Sequence, residues 1–283
     1  MNVILDDQKE NKKLKIFYIL IIVVCIVAII LAIVLQKVQD EKNQGNNSTL
    51  PGVIEEQTDK YKEEINNIFE NKVNYLENNS YKISKLKEDK EIVYLGYQNN
   101  ESKINDFELD VNIPYINIES DIIEEFNSQI KEVFEQKAKN ILNTQNNNTI
   151  YTVDYSAYIS NNILSLVVRS TLKEGSNPQR DIVQTYNYDL TNQKKYTIDS
   201  MLELKGISKK EASQKIKDEI KTVQERVDEL IKLGYDVYIR DYTSDTYSIN
   251  NVTEYFLGED NALYIIFAYG NENHTSEMDI IIM

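Results

Sequence analysis

The 283-residue chain contains no tryptophan, one cysteine, one histidine, three prolines and eight glycines. A single cysteine excludes an intramolecular disulfide framework. A zinc site would have to be built from His274 and carboxylates alone. With so few glycines, the chain has neither a glycine-rich phosphate loop nor a Gly-x-Ser-x-Gly nucleophile elbow. These absences argue against the common catalytic and cofactor-binding motifs, and we expect no cofactor.

Charged side chains are missing from one long stretch, residues 16–35, which reads IFYILIIVVCIVAIILAIVL. At about 1.5 Å of helical rise per residue it would span about 30 Å, the thickness of the hydrocarbon core of a bilayer. Helices satisfy their own backbone hydrogen bonds in lipid, so the stretch predicts a single transmembrane helix. It is too long for the apolar region of a signal peptide, and no small-x-small cleavage site follows it. We therefore expect the anchor to be retained.

The charges on the two flanks of this stretch predict its orientation. Four lysines precede it within residues 1–15, whereas the residues after it carry both signs. The positive-inside rule places the N-terminus in the cytoplasm and the rest outside. We expect a cytoplasmic tail at 1–15, the helix at 16–35, a flexible stalk at 36–52 and an extracytoplasmic α+β domain at 53–283. A subdivision of this domain near residue 145 stays open.

The composition also bears on the host and on the partner. Abundant Asn, Lys and Ile are typical of an AT-rich bacterial genome, and the anchored domain fits the plasma membrane of a Gram-positive bacterium. Beyond residue 15 the chain carries 27 basic and 43 acidic side chains, a net charge of −16. Such a surface would repel nucleic acid and attract a cationic partner. The same acidity would also keep an exposed domain soluble without any partner.

Hydrophobic periodicity predicts three amphipathic helices, over Glu55–Leu76, over Ser120–Leu142 and from Ser208 to Gly234. The last has the clearest boundaries, because Ser208 and Glu211 form a capping box and Gly234 ends it. Its apolar stripe comprises Ala212, Ile216, Ile220, Val223, Val227, Leu230 and Ile231.

Strand-like runs occupy residues 91–97, 107–113, 150–159, 163–172, 182–190, 236–240, 263–269 and 279–282. Asn161-Asn162 between two of them predicts a tight hairpin turn with positive φ, and Pro114 is expected to end the second run. Strands mixed with a few helices, without regular alternation, predict an α+β fold with a mainly antiparallel sheet.

Clustered carboxylates are the main candidates for chemistry. Asp241, Asp245, Glu254, Glu259 and Asp260 follow one another in the last third of the chain. Two of them are candidates for acid–base work or for holding calcium, but no calcium-loop motif is present. Ser-x-x-Lys occurs three times without a Lys-Thr-Gly partner motif, as chance predicts in a lysine-rich chain. The sequence therefore does not indicate an enzyme, and we expect no metal.

Tyrosine is unusually abundant, with 20 residues. Two local groups stand out, and the preference of tyrosine for strands is enough to explain both. As a recognition surface, tyrosine offers a large, rigid contact area with a polar tip. The groups are Tyr151, Tyr155 and Tyr158, and Tyr235, Tyr238, Tyr242 and Tyr247; the second is our candidate binding group.

A series of short motifs follows in order from about Asn112. They are Ile113-Pro114-Tyr115, Val153-Asp154-Tyr155, Leu164–Val168, Tyr186–Leu190 with Lys194 and Met201-Leu202, Tyr255-Phe256-Leu257 and Leu263–Phe267. In their order and spacing the chain resembles an extracytoplasmic module of lysozyme-binding anti-sigma factors of the anti-sigma-V type. The same module precedes the catalytic domain in some peptidoglycan deacetylases. The resemblance implies an α+β sensing or binding module.

The chain departs from both of those protein types. Asn192-Gln193 replaces a glycine usual after the Asp-Leu strand, no deacetylase domain follows, and the tail of residues 1–15 is too short to bind a sigma factor. We therefore expect a binding module of the cell envelope that recognises a wall-associated ligand or a cationic protein such as lysozyme. One alternative is a carboxylate-based peptidoglycan hydrolase using Asp241, Asp245 and Glu254. Another is an accessory envelope subunit acting through the Glu55–Leu76 helix.

Overall fold

The computed structural model describes residues 67–76, 86–268 and 276–283. All of them belong to one compact unit, Glu64–Met283. The predicted tail, transmembrane helix, stalk, His274 and most of the first amphipathic helix lie outside the described residues. Among the helices of the described ranges, none combines the length and apolarity needed to cross a membrane.

The fold is α+β with mainly antiparallel strand pairing, as the sequence predicts. The strands are β1 (Lys72–Tyr75), β2 (Val93–Lys103), β3 (Phe107–Ile116), β4 (Thr149–Ser160), β5 (Ile163–Glu174), β6 (Arg180–Asp189), β7 (Lys194–Lys195), β8 (Glu254–Leu257), β9 (Leu263–Ala268) and β10 (Met278–Ile282). The helices are α1 (Asp121–Ile130), α2 (Gln136–Asn143), α3 (Ile198–Lys205) and α4 (Lys209–Lys232). A π-helical turn, Lys131–Glu135, joins α1 and α2 into one continuous helix.

Two sheets and the helices form four layers. The large sheet has the order β2-β3-β4-β5-β6-β7, with β1 also paired to β4, and the small sheet has the order β10-β9-β8. One face of the large sheet packs on α1 and α2, through Phe126, Ile130 and Phe134 of the helix. Its other face packs on the small sheet. The outer face of the small sheet is covered by α3 and α4.

The strand β4 carries two different neighbours along one edge. It pairs in parallel with β3 through its first half and with β1 through its second half. Asn71, at φ 52°, fills the gap between them. Its backbone N–H donates to the carbonyl of Tyr155 at 2.8 Å, and its Oδ1 accepts from the N–H of Tyr155 at 3.0 Å. The backbone of β4 is therefore bonded without a break where one neighbour replaces the other.

The predicted helix Glu55–Leu76 is wrong throughout its described part, because residues 67–71 are not helical and Lys72–Tyr75 is strand β1. An available edge on β4 outweighs the helical spacing of these few apolar residues. The prediction that Pro114 ends a strand is also wrong, since β3 continues to Ile116. Pro114 pairs with Leu95 where the register of β2 shifts, a place where a missing backbone donor is tolerated.

Several local predictions are confirmed. Asn161 and Asn162 form a two-residue turn between β4 and β5, with φ of 49° and 58°. Ser208 and Glu211 form both hydrogen bonds of a capping box at the start of α4. The helix over Ser120–Leu142 is α1, the π-helical turn and α2, and its apolar residues face the large sheet.

Two predictions near the C-terminus fail. The run 236–240 has no regular secondary structure, and the strand β8 has no counterpart among the predicted runs. In the run, the backbone N–H of Arg240 donates to Oε1 of Gln224 on α4 at 2.5 Å. The segment therefore packs along α4 and does not pair with a strand.

Candidate binding surface

The chain reverses direction at the end of α4. Gly234 has φ 90°, a left-handed conformation that suits glycine, and the N–H of Tyr235 donates to the carbonyl of Leu230 at 3.1 Å. Residues 235–244 then run back along the helix. Arg240 bonds to Gln224, and the ring of Tyr242 lies 5.7 Å from Nζ of Lys217.

Arg240 anchors this returning segment in the protein interior. Its side chain is 7% exposed and that of Asp279 on β10 is 5% exposed. The Nε atom of Arg240 donates to both carboxylate oxygens of Asp279, at 2.9 and 3.0 Å. Its Nη1 donates to the carbonyl of Tyr238 at 3.1 Å, and its Nη2 donates to Glu277 at 3.3 Å. The hydroxyl of Tyr247 donates to Asp279 at 3.2 Å.

Burial sets the electrostatics of this cluster. It lowers the pKa of Arg240, but the charge and hydrogen bonds of Asp279 outweigh that effect and the net shift is upward. Burial raises the pKa of Asp279, against the opposing effect of Arg240. The pKa of the Tyr247 hydroxyl is raised by burial and by the neighbouring Asp279. Arg240 therefore stays protonated, and its pairing with Asp279 offsets part of the cost of burying two charges.

Exposed apolar side chains lie at the end of α4 and on the returning segment that Arg240 anchors. Ile231 and Leu233 at the end of α4 are 41% and 53% exposed, and Tyr235 and Ile239 after it are 48% and 65% exposed. Tyr238 and Tyr242 are half-buried beside them in sequence. We call Ile231, Leu233, Tyr235 and Ile239 the α4 patch. Apolar side chains clustered on a surface are typical of binding sites.

The candidate binding tyrosines divide by burial. Tyr235 is exposed, Tyr238 and Tyr242 are half-buried, and Tyr247 is buried. Tyr247 is therefore a core residue that bonds to Asp279, and its assignment to a binding surface is corrected. The other tyrosine group is also in the core, because Tyr151, Tyr155 and Tyr158 are all at most 5% exposed.

Acidic side chains surround the α4 patch in the sequence. Residues 224–245 contain six acidic and three basic side chains, and one of the basic ones is the buried Arg240. Among the acids, Asp228, Glu229, Asp236 and Asp241 are exposed. Exposed apolar and acidic side chains that alternate along one segment would suit a cationic protein surface.

Asp241 and Glu254, two of the three carboxylates of the hydrolase alternative, have separate partners. Asp241 accepts hydrogen bonds from the backbone and hydroxyl of Thr243, at 2.9 and 2.6 Å, which lower its pKa. Glu254 accepts from the backbone and hydroxyl of Thr185 on β6, at 2.6 and 3.0 Å. Burial raises the pKa of Glu254. Within the described ranges, no group of three or more His, Cys, Asp or Glu side chains is arranged to hold a metal.

The sequence gives only part of the α4 patch. Ile231 belongs to the predicted inward stripe of α4, yet the last buried residue of that stripe is Val227. The sequence patterns do not identify Leu233 and Ile239 as binding residues, and they place Arg240 inside a predicted strand. One sequence signal pointed to Arg240. A single arginine directly after the apolar run Val237-Tyr238-Ile239 is unusual for a half-buried strand.

Comparison with known proteins gives distant structural neighbours, and two of them are described here. No family model and no curated protein matches the chain. One neighbour is a DUF3298 family protein from Pseudomonas aeruginosa PAO1, with TM-score 0.40 and 10% identity over 67% of this chain and 86% of that one. Another is a DUF3298 family member from Bacteroides fragilis NCTC 9343, with TM-score 0.33 and 12% identity over 62% of this chain and 80% of that one. At these values neither neighbour bears on function.

Proposed function

We propose that the chain is a single-pass envelope protein whose extracytoplasmic domain binds a cationic protein, such as lysozyme, through the α4 patch. The uncharged stretch at residues 16–35 supports the anchor, and the lysines within residues 1–15 support the orientation. The resemblance to the lysozyme-binding module supports the type of partner.

The observation that carries the proposal is the exposed α4 patch, part of which lies on a segment held by a buried ion pair. Tyr235 and Ile239 present apolar area to solvent, while Arg240 holds the segment between Asp279 and Gln224. A surface that is already ordered loses less conformational entropy on binding. The exposed acids in residues 224–245 add attraction for a basic partner and speed association at low salt.

A calorimetric titration of the full chain in lipid nanodiscs with lysozyme tests the proposal. We expect binding at near-physiological salt, because an apolar contact persists when surface charge is screened. Binding that vanishes at that salt would mean that net charge acts alone. The absence of heat at both salt concentrations would contradict the proposal.

The anchor and its orientation need their own test. We expect externally added protease to remove the domain of residues 53–283 from intact cells, while an epitope on residues 1–15 stays protected. Protection of both ends would contradict the proposed orientation. This result does not depend on the identity of the ligand.

A further inference from the structure

A cleft at the opposite end of the large sheet from its contact with the small sheet lies between the β2–β3 turn and the end of α2. It has a volume of about 640 Å³, which falls in the range of ligand pockets, about 300–1,000 Å³. Its lining is rich in amides and includes two apolar side chains: Glu101, Lys103, Asn105, Asp106, Phe107, Leu142, Asn143, Thr144, Gln145 and Asn146.

The walls of the cleft are held together by Asp106. Its Oδ1 accepts from the backbone N–H of Asn146 at 2.7 Å, and its Oδ2 accepts from Nζ of Lys103 at 2.6 Å. Its carbonyl accepts from the N–H of Thr149 at 2.9 Å. Asp106 is buried, and the hydrogen bonds from Lys103 and Asn146 lower its pKa. The turn and the loop after α2 are thus fixed relative to each other.

The groups left over for a ligand are mainly neutral. The side-chain amides of Asn105, Asn143 and Gln145 are exposed, and none of the described residues hydrogen-bonds to them. Each amide offers two donors and an acceptor. The carboxylate of Glu101 is oriented by Nδ2 of Asn99 at 2.7 Å and keeps further acceptor capacity.

Apolar area is present beside these polar groups. Phe107 and Leu142 are half-buried and pack on the main core from the side of the cleft. Lys103 is already engaged with Asp106, so the cleft offers no cluster of free cations for a phosphate. The combination of spaced amides, one carboxylate and an apolar base matches a molecule with many hydroxyls and a C–H face.

We infer that this cleft binds a neutral oligosaccharide, with Asn105, Asn143, Gln145 and Glu101 bonding to its polar groups above Phe107 and Leu142. This inference goes beyond the proposed function and uses a different surface from the α4 patch. It holds or fails independently of lysozyme binding.

The test is a titration of the full chain in phosphatidylcholine nanodiscs, free of sugar-based detergent. Tetraacetylchitotetraose and maltotetraose serve as probes, followed by calorimetry and saturation-transfer NMR. Binding of both supports a site for hydroxyl-rich chains, and binding of the first alone supports it with a requirement for acetamido groups. The absence of binding and of saturation transfer for both probes overturns the inference.

Matched variants locate the site. Asn143→Ala and Gln145→Ala should each weaken binding about fivefold, the value of one hydrogen bond, without changing the melting temperature. Asn250→Ala removes another exposed amide to which none of the described residues hydrogen-bonds, far along the chain, and should bind normally. Equal affinity in all three variants would overturn the assignment to this cleft. Lysozyme titrations of the same variants should be unchanged, which separates this inference from the proposed function.

Discussion

The side-chain hydroxyl of Ser165 on β5 accepts a hydrogen bond from the backbone N–H of Leu257 on β8, at 3.1 Å. Ser165 donates in turn to Oδ1 of Asn187 at 2.7 Å, and Nδ2 of Asn187 donates to the carbonyl of Tyr255 at 2.7 Å. The N–H of Tyr255 donates to the hydroxyl of Thr185 at 3.0 Å. Side chains of the large sheet thus bond to backbone groups of β8 that do not pair with β9, so this edge is protected from foreign strands.

Replacing Ser165 should therefore destabilise the fold. Ser165→Ala leaves the buried N–H of Leu257 without its acceptor, and we expect a loss of about 2 kcal/mol in the free energy of unfolding. Urea unfolding followed by tyrosine fluorescence measures it. Ser102→Ala, at an exposed position on β2, should change stability by less than about 0.5 kcal/mol. Equal stability of the two variants would contradict this role of Ser165.

The pair between Arg240 and Asp279 gives a second prediction. Asp279→Ala removes one partner and leaves a buried guanidinium, so we expect a loss of about 3–5 kcal/mol in the free energy of unfolding. The double variant Arg240→Met, Asp279→Leu buries no charge and should recover part of that loss. If Asp279→Ala is as stable as the wild type, the pair does not hold the returning segment.

The buried carboxylate of Glu254 predicts a pH dependence of stability. Burial raises its pKa in the folded state, although hydrogen bonds from Thr185 oppose the rise. The folded state therefore binds this proton more tightly than the unfolded state. Stability then falls as pH rises from the unfolded pKa, about 4.3, through the raised folded value.

The matching measurement compares unfolding free energies of the wild type and Glu254→Gln from pH 4 to 7. The wild type should lose stability relative to the variant as pH rises. Asp241→Asn should give the opposite sign, because hydrogen bonds from Thr243 lower the folded pKa of Asp241. That carboxylate stabilises the fold above its unfolded pKa and loses this effect as pH falls. Curves with the same sign would contradict the electrostatic account.

The hairpin turn after β4 tests a backbone effect. Asn162 has φ 58°, a conformation that costs a β-branched residue about 1–2 kcal/mol. Asn162→Val should lower the free energy of unfolding by about that amount, whereas Asn162→Gly should keep it near the wild-type value, since Asn-Gly suits this turn. Chemical unfolding of the two variants measures the difference. A valine variant as stable as the glycine variant would argue against a left-handed turn.

The α4 patch predicts a separation between binding and stability. Tyr235→Ala and Ile239→Ala remove exposed side chains, so they should weaken lysozyme binding about tenfold each without lowering the melting temperature. Ile104→Ala is the control, because Ile104 is 91% exposed at the β2–β3 turn, outside the patch. If the control weakens binding as much as the patch variants, the patch is not the binding surface.

Local chemistry made much of the fold predictable. The capping box at Ser208 and Glu211, the turn at Asn161-Asn162 and the apolar spacing of α1 depend on residues within a few positions of one another. Such interactions are present in any chain with that pattern. The candidate site was harder to predict from the sequence. Three of its four predicted tyrosines have half-buried or buried side chains.

By itself the sequence determined the α+β class, the helices at 120–142 and 208–234 and the hairpin, because these follow from periodicity, capping and turn chemistry, whereas it did not predict α3. Only the tertiary structure decided that Lys72–Tyr75 is a strand, since its partner on β4 lies more than 80 residues away. Likewise, Arg240 is buried because Asp279 meets it from β10. Burial and edge pairing depend on which distant groups come together, and no short window of sequence contains that information.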